Sequence, residues 1–221
     1  MLANRDEFYG RPTAPAARWK DYPQIFAGRD LLAGGTWLGV TDSGRFAAVT
    51  NYRETNAPKG QLSRGALVAD FLKTNEPPSE YIEQIKMNSH KFGGFNLLVG
   101  IAGDELYYFS NRRDIAEQLQ PGLYGLSNHT LNTAWPKVTQ GIAKFKKLIS
   151  SETISKEGCF TLLTDETIAA DEDLPDTGVG IDRGRQLSPI FIRTPDYGTR
   201  SSTVILFDRE GEFDFEEKVW V

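Results

Sequence analysis

The chain has 221 residues, 39% of them hydrophobic and 25% charged, a balance that suits one folded domain over 1–221 and excludes low-complexity disorder. A formal net charge of −5 argues against the basic footprint of a nucleic-acid surface. No apolar run approaches the roughly 20 residues of a membrane helix, the opening residues do not read as a secretory leader, and a lone Cys159 can form no internal disulfide, so a cytoplasmic setting is expected.

Asn4-Arg5-Asp6-Glu7 follows a short apolar stub, Leu2 and Ala3. Charged residues are seldom buried without partners, so this group at a strand end marks either a solvated start or part of a site. Residues 34–41 read as a strand, Asp42-Ser43-Gly44 as a tight turn and 45–51 as the returning strand of a hairpin. Ser63 is the expected N-cap of a helix with Ala66, Leu67, Val68, Phe71 and Leu72 on one stripe. Pro77-Pro78 ends that segment, and Ser79 is expected to cap a second helix carrying Tyr81, Ile82, Ile85 and Met87.

Residues 94–101 and 105–110 form another hairpin around Ala102-Gly103-Asp104, and 122–128 read as a further strand. The longest helix is expected over 135–150, with Val138, Ile142, Phe145, Leu148 and Ile149 on one face and four lysines off it. A short helical or mixed stretch surrounds 159–163, 165–182 is an acidic loop, and strands over 190–193, 202–208 and 213–219 close the chain. Segregated runs of strands and helices favour antiparallel sheets over βαβ units. Two sheets, each covered on its outer face by a helix pair, would bury these apolar residues.

The candidates for chemistry are polar residues at strand ends: the Asn4–Glu7 group, Asn51, Asn128, and Arg200 at the mouth of the penultimate strand. Amides can stabilise an oxyanion, and a guanidinium can hold a carboxylate or lower a neighbouring thiol's pKa. For each residue alone, the plainer reading is turn chemistry or a structural ion pair. His90 and His129 have no carboxylate or cysteine at zinc spacing, so no metal is expected. No dinucleotide fingerprint or phosphate loop is present, and no cofactor is expected. His129 reads as a turn residue or pocket wall beside Asn128, Trp37 and Trp135 as core or pocket lining, and Cys159 as a buried inert thiol.

Asn4-Arg5-Asp6-Glu7-Phe8-Tyr9-Gly10-Arg11-Pro12 resembles the signature of the NRDE-motif family, also described as transport and Golgi organisation protein 2-like. The likeness runs along nearly the whole chain, through Ala27-Gly28-Arg29-Asp30, Gly34-Gly35-Thr36-Trp37-Leu38-Gly39, Thr50-Asn51-Tyr52-Arg53, Gly93-Gly94-Phe95-Asn96, Leu126-Ser127-Asn128-His129, Leu174-Pro175-Asp176-Thr177-Gly178 and Tyr197-Gly198-Thr199-Arg200-Ser201-Ser202-Thr203. It implies the α+β fold of N-terminal-nucleophile hydrolases, a four-layer αββα sandwich of two mainly antiparallel sheets. In the cholylglycine hydrolase branch, a cysteine directly after the initiator methionine attacks an amide, with its own α-amine as general base. By that resemblance Arg5 and Asp6 flank the nucleophile, Asn51 and Asn128 supply oxyanion-hole and substrate contacts, and Arg200 completes the charge network. Asn4, Trp37, Tyr52 and His129 are the implied substrate contacts.

Full-length relatives open with Met-Cys and one more apolar strand, whereas here Met1-Leu2-Ala3 stands directly before Asn4. The first strand and its cysteine are therefore expected to be missing, through a start placed too late or a truncated, silent form, and the first is favoured. The function implied is cleavage of an amide or thioester of a small acyl compound. The alternative is a non-catalytic carrier or trafficking factor, handling haem or an acyl lipid or serving secretory-pathway organisation. The expected partner is a small acyl substrate or lipid-like ligand, with no nucleic acid and no integral membrane segment.

Overall fold

The computed structural model describes residues 1–55, 60–150, 154–208 and 211–221. One antiparallel sheet joins the two ends of the chain: β1 (Leu2–Phe8), β9 (Tyr197–Phe207) and β10 (Phe213–Val219), in that spatial order. The other is a seven-stranded meander of β2 (Thr13–Arg18), β3 (Ile25–Asp30), β4 (Leu38–Thr41), β5 (Arg45–Asn51), β6 (Phe95–Ile101), β7 (Leu106–Ser110) and β8 (Ile115–Gln118), each pairing with the next.

Side chains alternate across a strand, and that alternation builds the layers. Leu38, Val40 and Ala48 from the meander meet Ile205 of β9 between the sheets, with Ala3, Phe26, Phe46 and Phe215 packed around them. On the outer face of the meander, α1 (Arg64–Lys73) and α2 (Pro78–Asn88) bring Leu67, Phe71, Leu72, Tyr81 and Ile82 onto Ala47, Leu97, Val99 and Phe109. Outside the smaller sheet, α3 (Pro136–Ile149) and α4 (Lys156–Leu163) pack Phe145, Leu148, Phe160 and Leu163 against Leu2 and Val204. Each fully buried side chain of this size contributes about 1.5–3 kcal/mol. The layer order is the expected αββα sandwich, with a short additional helix, α5 (Ile181–Leu187). No helix among the described residues is long and apolar enough to cross a membrane.

Several local expectations are corrected. The Asn4–Glu7 group lies inside β1 rather than at a strand end, because β1 pairs with β9 from Leu2↔Val204 to Phe8↔Tyr197. Of 34–41 only Leu38–Thr41 is strand; the preceding residues turn against α1, where the Thr36 N–H donates to the Gly65 carbonyl at 3.2 Å. Ser63 does occupy the N-cap of α1, though its side chain makes no capping bond. Ser79 is not a cap: Pro78 begins α2, where a fixed φ and a missing N–H are tolerated. No strand forms over 122–128, since its polar groups are taken elsewhere: the Gly125 N–H donates to Asn132 Oδ1 at 3.0 Å, and the Asn128 carbonyl accepts from Arg53 N at 2.6 Å. Residues 190–193 hold only an isolated bridge, Arg193↔Gly198, because the Ile192 N–H is spent on Thr199 Oγ1 at 2.9 Å.

Candidate functional site

The register of β1 on β9 slips between Arg5↔Ser201 and Asp6↔Thr199, leaving Arg200 as the extra residue of a β-bulge. A bulge re-aims side chains, and here it turns Arg200 toward the segment that follows β1. Its Nη1 donates to the carbonyls of Phe8 and Arg11 and, at 3.3 Å, to Thr13 Oγ1; Nη2 reaches the Val221 carbonyl at 3.4 Å. Arg5 Nη1 donates to the same Thr13 hydroxyl at 3.0 Å. The two guanidiniums therefore lie side by side, one brought by each end of the chain. Their roles differ: Arg200 ties backbone together, while Arg5 lies over Trp37, 3.9 Å from the ring centroid. Burial, and then the neighbouring Arg200 charge, press the Arg5 pKa down from its usual value.

Arg5 and Trp37 form part of the wall of a cavity of about 1350 Å³, larger than the roughly 300–1,000 Å³ of common small-molecule sites. Its boundaries include β1, the ends of β4 and β5, the 119–131 segment and the Lys137–Phe145 flank of α3. One part of the wall is apolar, with Leu38, Phe46, Leu98, Leu126, Ile142 and Phe145; the other carries Arg5, Arg11, Arg64 and Lys137 beside Asp6, Glu7, Asp30 and Glu54. Most of these carboxylates are already engaged. Arg11 holds Asp30 at 2.6 Å, and Arg112 grips Glu54 through two bonds of 2.6 and 2.7 Å. Burial is the strongest influence on Asp30 and raises its pKa, but Arg11 and the N–H groups of Leu32 and Ala33 together bring it below the ordinary range; for Glu54 the Arg112 bonds lead, with burial opposing them.

Asp6 differs from these. Its Oδ1 accepts from the Thr199 hydroxyl at 2.6 Å, and its charge faces Lys137 and Arg53, with no ion pair within 4.0 Å to either. Burial outweighs these neighbours and raises its pKa. A carboxyl whose folded pKa lies above the 3.8 of a free aspartate binds its proton more tightly in the native state, so stability falls as pH rises through that window. Asp6→Asn keeps an acceptor for Thr199 and removes the titration. Chemical denaturation at pH 4 and pH 7 should show the variant gaining on the wild type at the higher pH; an unchanged difference would mean that burial does not penalise this charge.

The two asparagines are brought together but play unequal parts. Asn128 is spent internally, its amide donating to the Asn51 carbonyl at 3.0 Å and accepting from Arg53 Nη2 at 3.3 Å. With the Thr50 hydroxyl on the Ser127 carbonyl at 3.0 Å, this ties the 119–135 segment to the end of β5. Asn51 is exposed on the cavity wall, and its own amide makes no hydrogen bond among the described residues. Tyr52 lines the cavity and stacks on His129, ring centroids 4.8 Å apart. His129 itself stays off the wall, its Nδ1 paired with Thr133 Oγ1 at 2.9 Å in a turn. Asn4 borders the cavity, but its amide donates to the carbonyls of Leu163 and Ile190 at 2.8 and 2.9 Å and accepts from Ser202 at 2.6 Å. These bonds make it a structural clamp. Cys159 is fully buried, is not among the cavity residues, and has its thiol pKa raised by burial.

Lys137, Arg64 and Arg53 were not singled out by sequence. By sequence Lys137 groups with the other lysines off the apolar face of α3, yet it lines the cavity with Gly141 and Phe145. Spacings of i, i+4 and i+8 put those three on one flank of a helix, and that was the available signal.

The whole chain resembles proteins of one kind. The human Transport and Golgi organization protein 2 homolog is 35% identical over 234 residues, covering 99% of this chain and 85% of that protein. The Drosophila melanogaster Transport and Golgi organization protein 2 is 28% identical over 239 residues, covering 99% of this chain and 84% of its own. Among solved structures, the Caenorhabditis elegans N-acylethanolamine-hydrolyzing acid amidase ortholog superposes with a TM-score of 0.55 at 13% identity, over 100% of this chain and 94% of that one. That likeness supports the N-terminal-nucleophile hydrolase type of sandwich and says nothing by itself of activity. Residues 1–221 match the family model described as Transport and Golgi organisation 2, and the chain belongs to that family.

Proposed function

We propose that the inter-sheet cavity binds a small amphipathic acyl compound and that the chemistry it serves is cleavage of an amide or thioester bond. The observation that carries this reading is the continuity of one cavity wall from Phe46, Leu98 and Phe145 to the guanidiniums of Arg5 and Arg64. An acyl chain would replace water along the apolar part, at about 25 cal/mol per Å² of surface buried, while the cationic end holds a carbonyl or an anionic head. The unengaged Asn51 amide is the candidate donor to a developing oxyanion. In this reading Arg5 orients the acyl head, Asp6 and Lys137 handle protons, and Asn128 and Arg200 hold the frame.

Non-catalytic acyl handling would use the same wall and differ only in the absence of turnover. Haem handling is less well supported, because neither His90 nor His129 is among the cavity residues and imidazole is a principal axial ligand.

The test is equilibrium binding of a fluorescent long-chain acyl thioester, followed by measurement of thiol release. Arg5→Met removes the charge over Trp37 while keeping a long stem, and should weaken binding about tenfold, a loss of about 1.4 kcal/mol. Ile142→Trp fills the apolar part and should block the chain while leaving the head groups in place. If the wild type takes up no probe at micromolar concentration, or both variants bind as it does, the assignment is wrong.

A further inference from the structure

Of the four lysines of α3, Lys137 is the one that faces the cavity. Lys144 pairs with Asp165, and Lys146 and Lys147 are exposed. The Lys137 amine has no hydrogen bond or ion pair among the described residues. Asp6 from β1 and Arg53 from beyond β5 are the charges that act on it. Tyr197 of β9 and Arg183 of α5 act in turn on Arg53, and Tyr197 also feels the Asp6 charge. Apolar wall from Val138 and Ile142 continues along the same helix.

We propose that Lys137 is a nucleophilic amine that takes the acyl group of an activated acyl compound held in the cavity, which makes it a modification site. This rests on the reading of the cavity as an acyl-compound site. In the step, the lone pair of neutral Nζ forms a bond to the thioester carbonyl carbon and the carbon–sulfur bond breaks. The proton lost from Nζ ends on the departing sulfur. The products are one Nε-acyl-lysine amide and one free thiol, with no other reactant consumed.

Three features keep this amine neutral more often than an ordinary lysine. Burial is the largest and lowers its pKa from 10.5 to about 8; the Arg53 charge acts in the same direction, and Asp6 opposes both. Lys137 also sits in the first turn of α3, where the positive end of the helix dipole disfavours a cation. At pH 7.5 such an amine is roughly one-quarter neutral, against about 0.1% for a lysine near 10.4. Acylation would remove the charge facing Asp6 and place a hydrocarbon chain beside the apolar wall.

The experiment treats the full chain with p-nitrophenyl acetate and, separately, with a long-chain acyl thioester, and maps modified peptides by mass spectrometry over time and pH. Lys137 should be acylated at least about tenfold faster than Lys144, with a rate that rises through an apparent pKa near 8. Asp6→Asn should move that midpoint downward, since it removes the carboxylate that favours the ammonium form. Mapping on the wild type needs no variant to fold. Labelling of Lys137 no faster than of Lys144, or a rate that climbs only toward pH 10 as for an ordinary lysine near 10.4, would overturn the proposal. Labelling by the ester but not by the thioester supports the nucleophilic amine and removes the long-chain ligand.

Discussion

Asn4→Ala should lower the stability of the fold by about 3–4 kcal/mol. The Asn4 side chain joins parts of the chain far apart in sequence, donating to Leu163 at the end of α4 and to Ile190, and accepting from Ser202 on β9. Ser202 in turn accepts from the Trp220 indole at 3.0 Å, so the C-terminal end hangs on the same network. Alanine leaves two carbonyls and a hydroxyl without their partner. Each orphaned polar group costs about 1–3 kcal/mol when water cannot reach it, and partial access from the cavity brings the sum below three full penalties. Asn4→Asp separates hydrogen bonding from packing. It keeps the acceptor for Ser202 but sets a carboxylate against two carbonyl oxygens, so it should be at least as damaging at neutral pH and recover as pH falls toward 4. Urea midpoints for both variants test this, and a loss under 1 kcal/mol for Asn4→Ala would show that Asn4 is no clamp.

The same residue shows how far the site could be read from sequence. Asn4 and Arg5 are adjacent and both polar, and the motif offers them equally as pocket residues. Successive side chains in a strand point to opposite faces, so only one of the pair could face Trp37, and the choice depends on a register that sequence does not contain. Arg200 shares the Thr13 hydroxyl with Arg5, but the bulge that turns it onto backbone carbonyls follows from the pairing of β1 with β9. Strands β5 and β6 are legible from apolar runs bounded by turn residues. β2 carries no strand signal, because Thr13-Ala14-Pro15-Ala16-Ala17-Arg18 has no apolar alternation and contains a proline, which the outermost position of the meander tolerates. Residues 122–128 mimic a strand for the converse reason: Leu123 and Leu126 are apolar because they line the cavity, not because they cover a sheet.

Gly35→Ala should be the most damaging exchange in the Gly34-Gly35-Thr36-Trp37 segment, at about 2–4 kcal/mol together with a loss of ligand binding. A Cβ on Gly35 would sit 2.5 Å from both the carbonyl carbon and oxygen of Gly65 and 3.0 Å from the Ala66 nitrogen. All three are backbone atoms at the start of α1, so no side chain can swing away to relieve the clash. Either the first turn of α1 or the 34–36 segment must shift. The first choice moves Arg64, and the second moves Thr36 and Trp37, all of which line the cavity. The Asp30 N–H bond to the Gly35 carbonyl, 2.9 Å, would be strained as well, and Asp30 is the partner that holds Arg11. Gly34 provides the control. It carries the left-handed backbone, with φ of 77°, but a Cβ there would meet nothing within 4 Å. Gly34→Ala should therefore cost only the conformational strain, about 1–2 kcal/mol, and leave binding intact. Should Gly34→Ala prove the worse of the two, backbone conformation rather than the close approach of Gly35 to Gly65 would be what sets the position of Trp37 under Arg5.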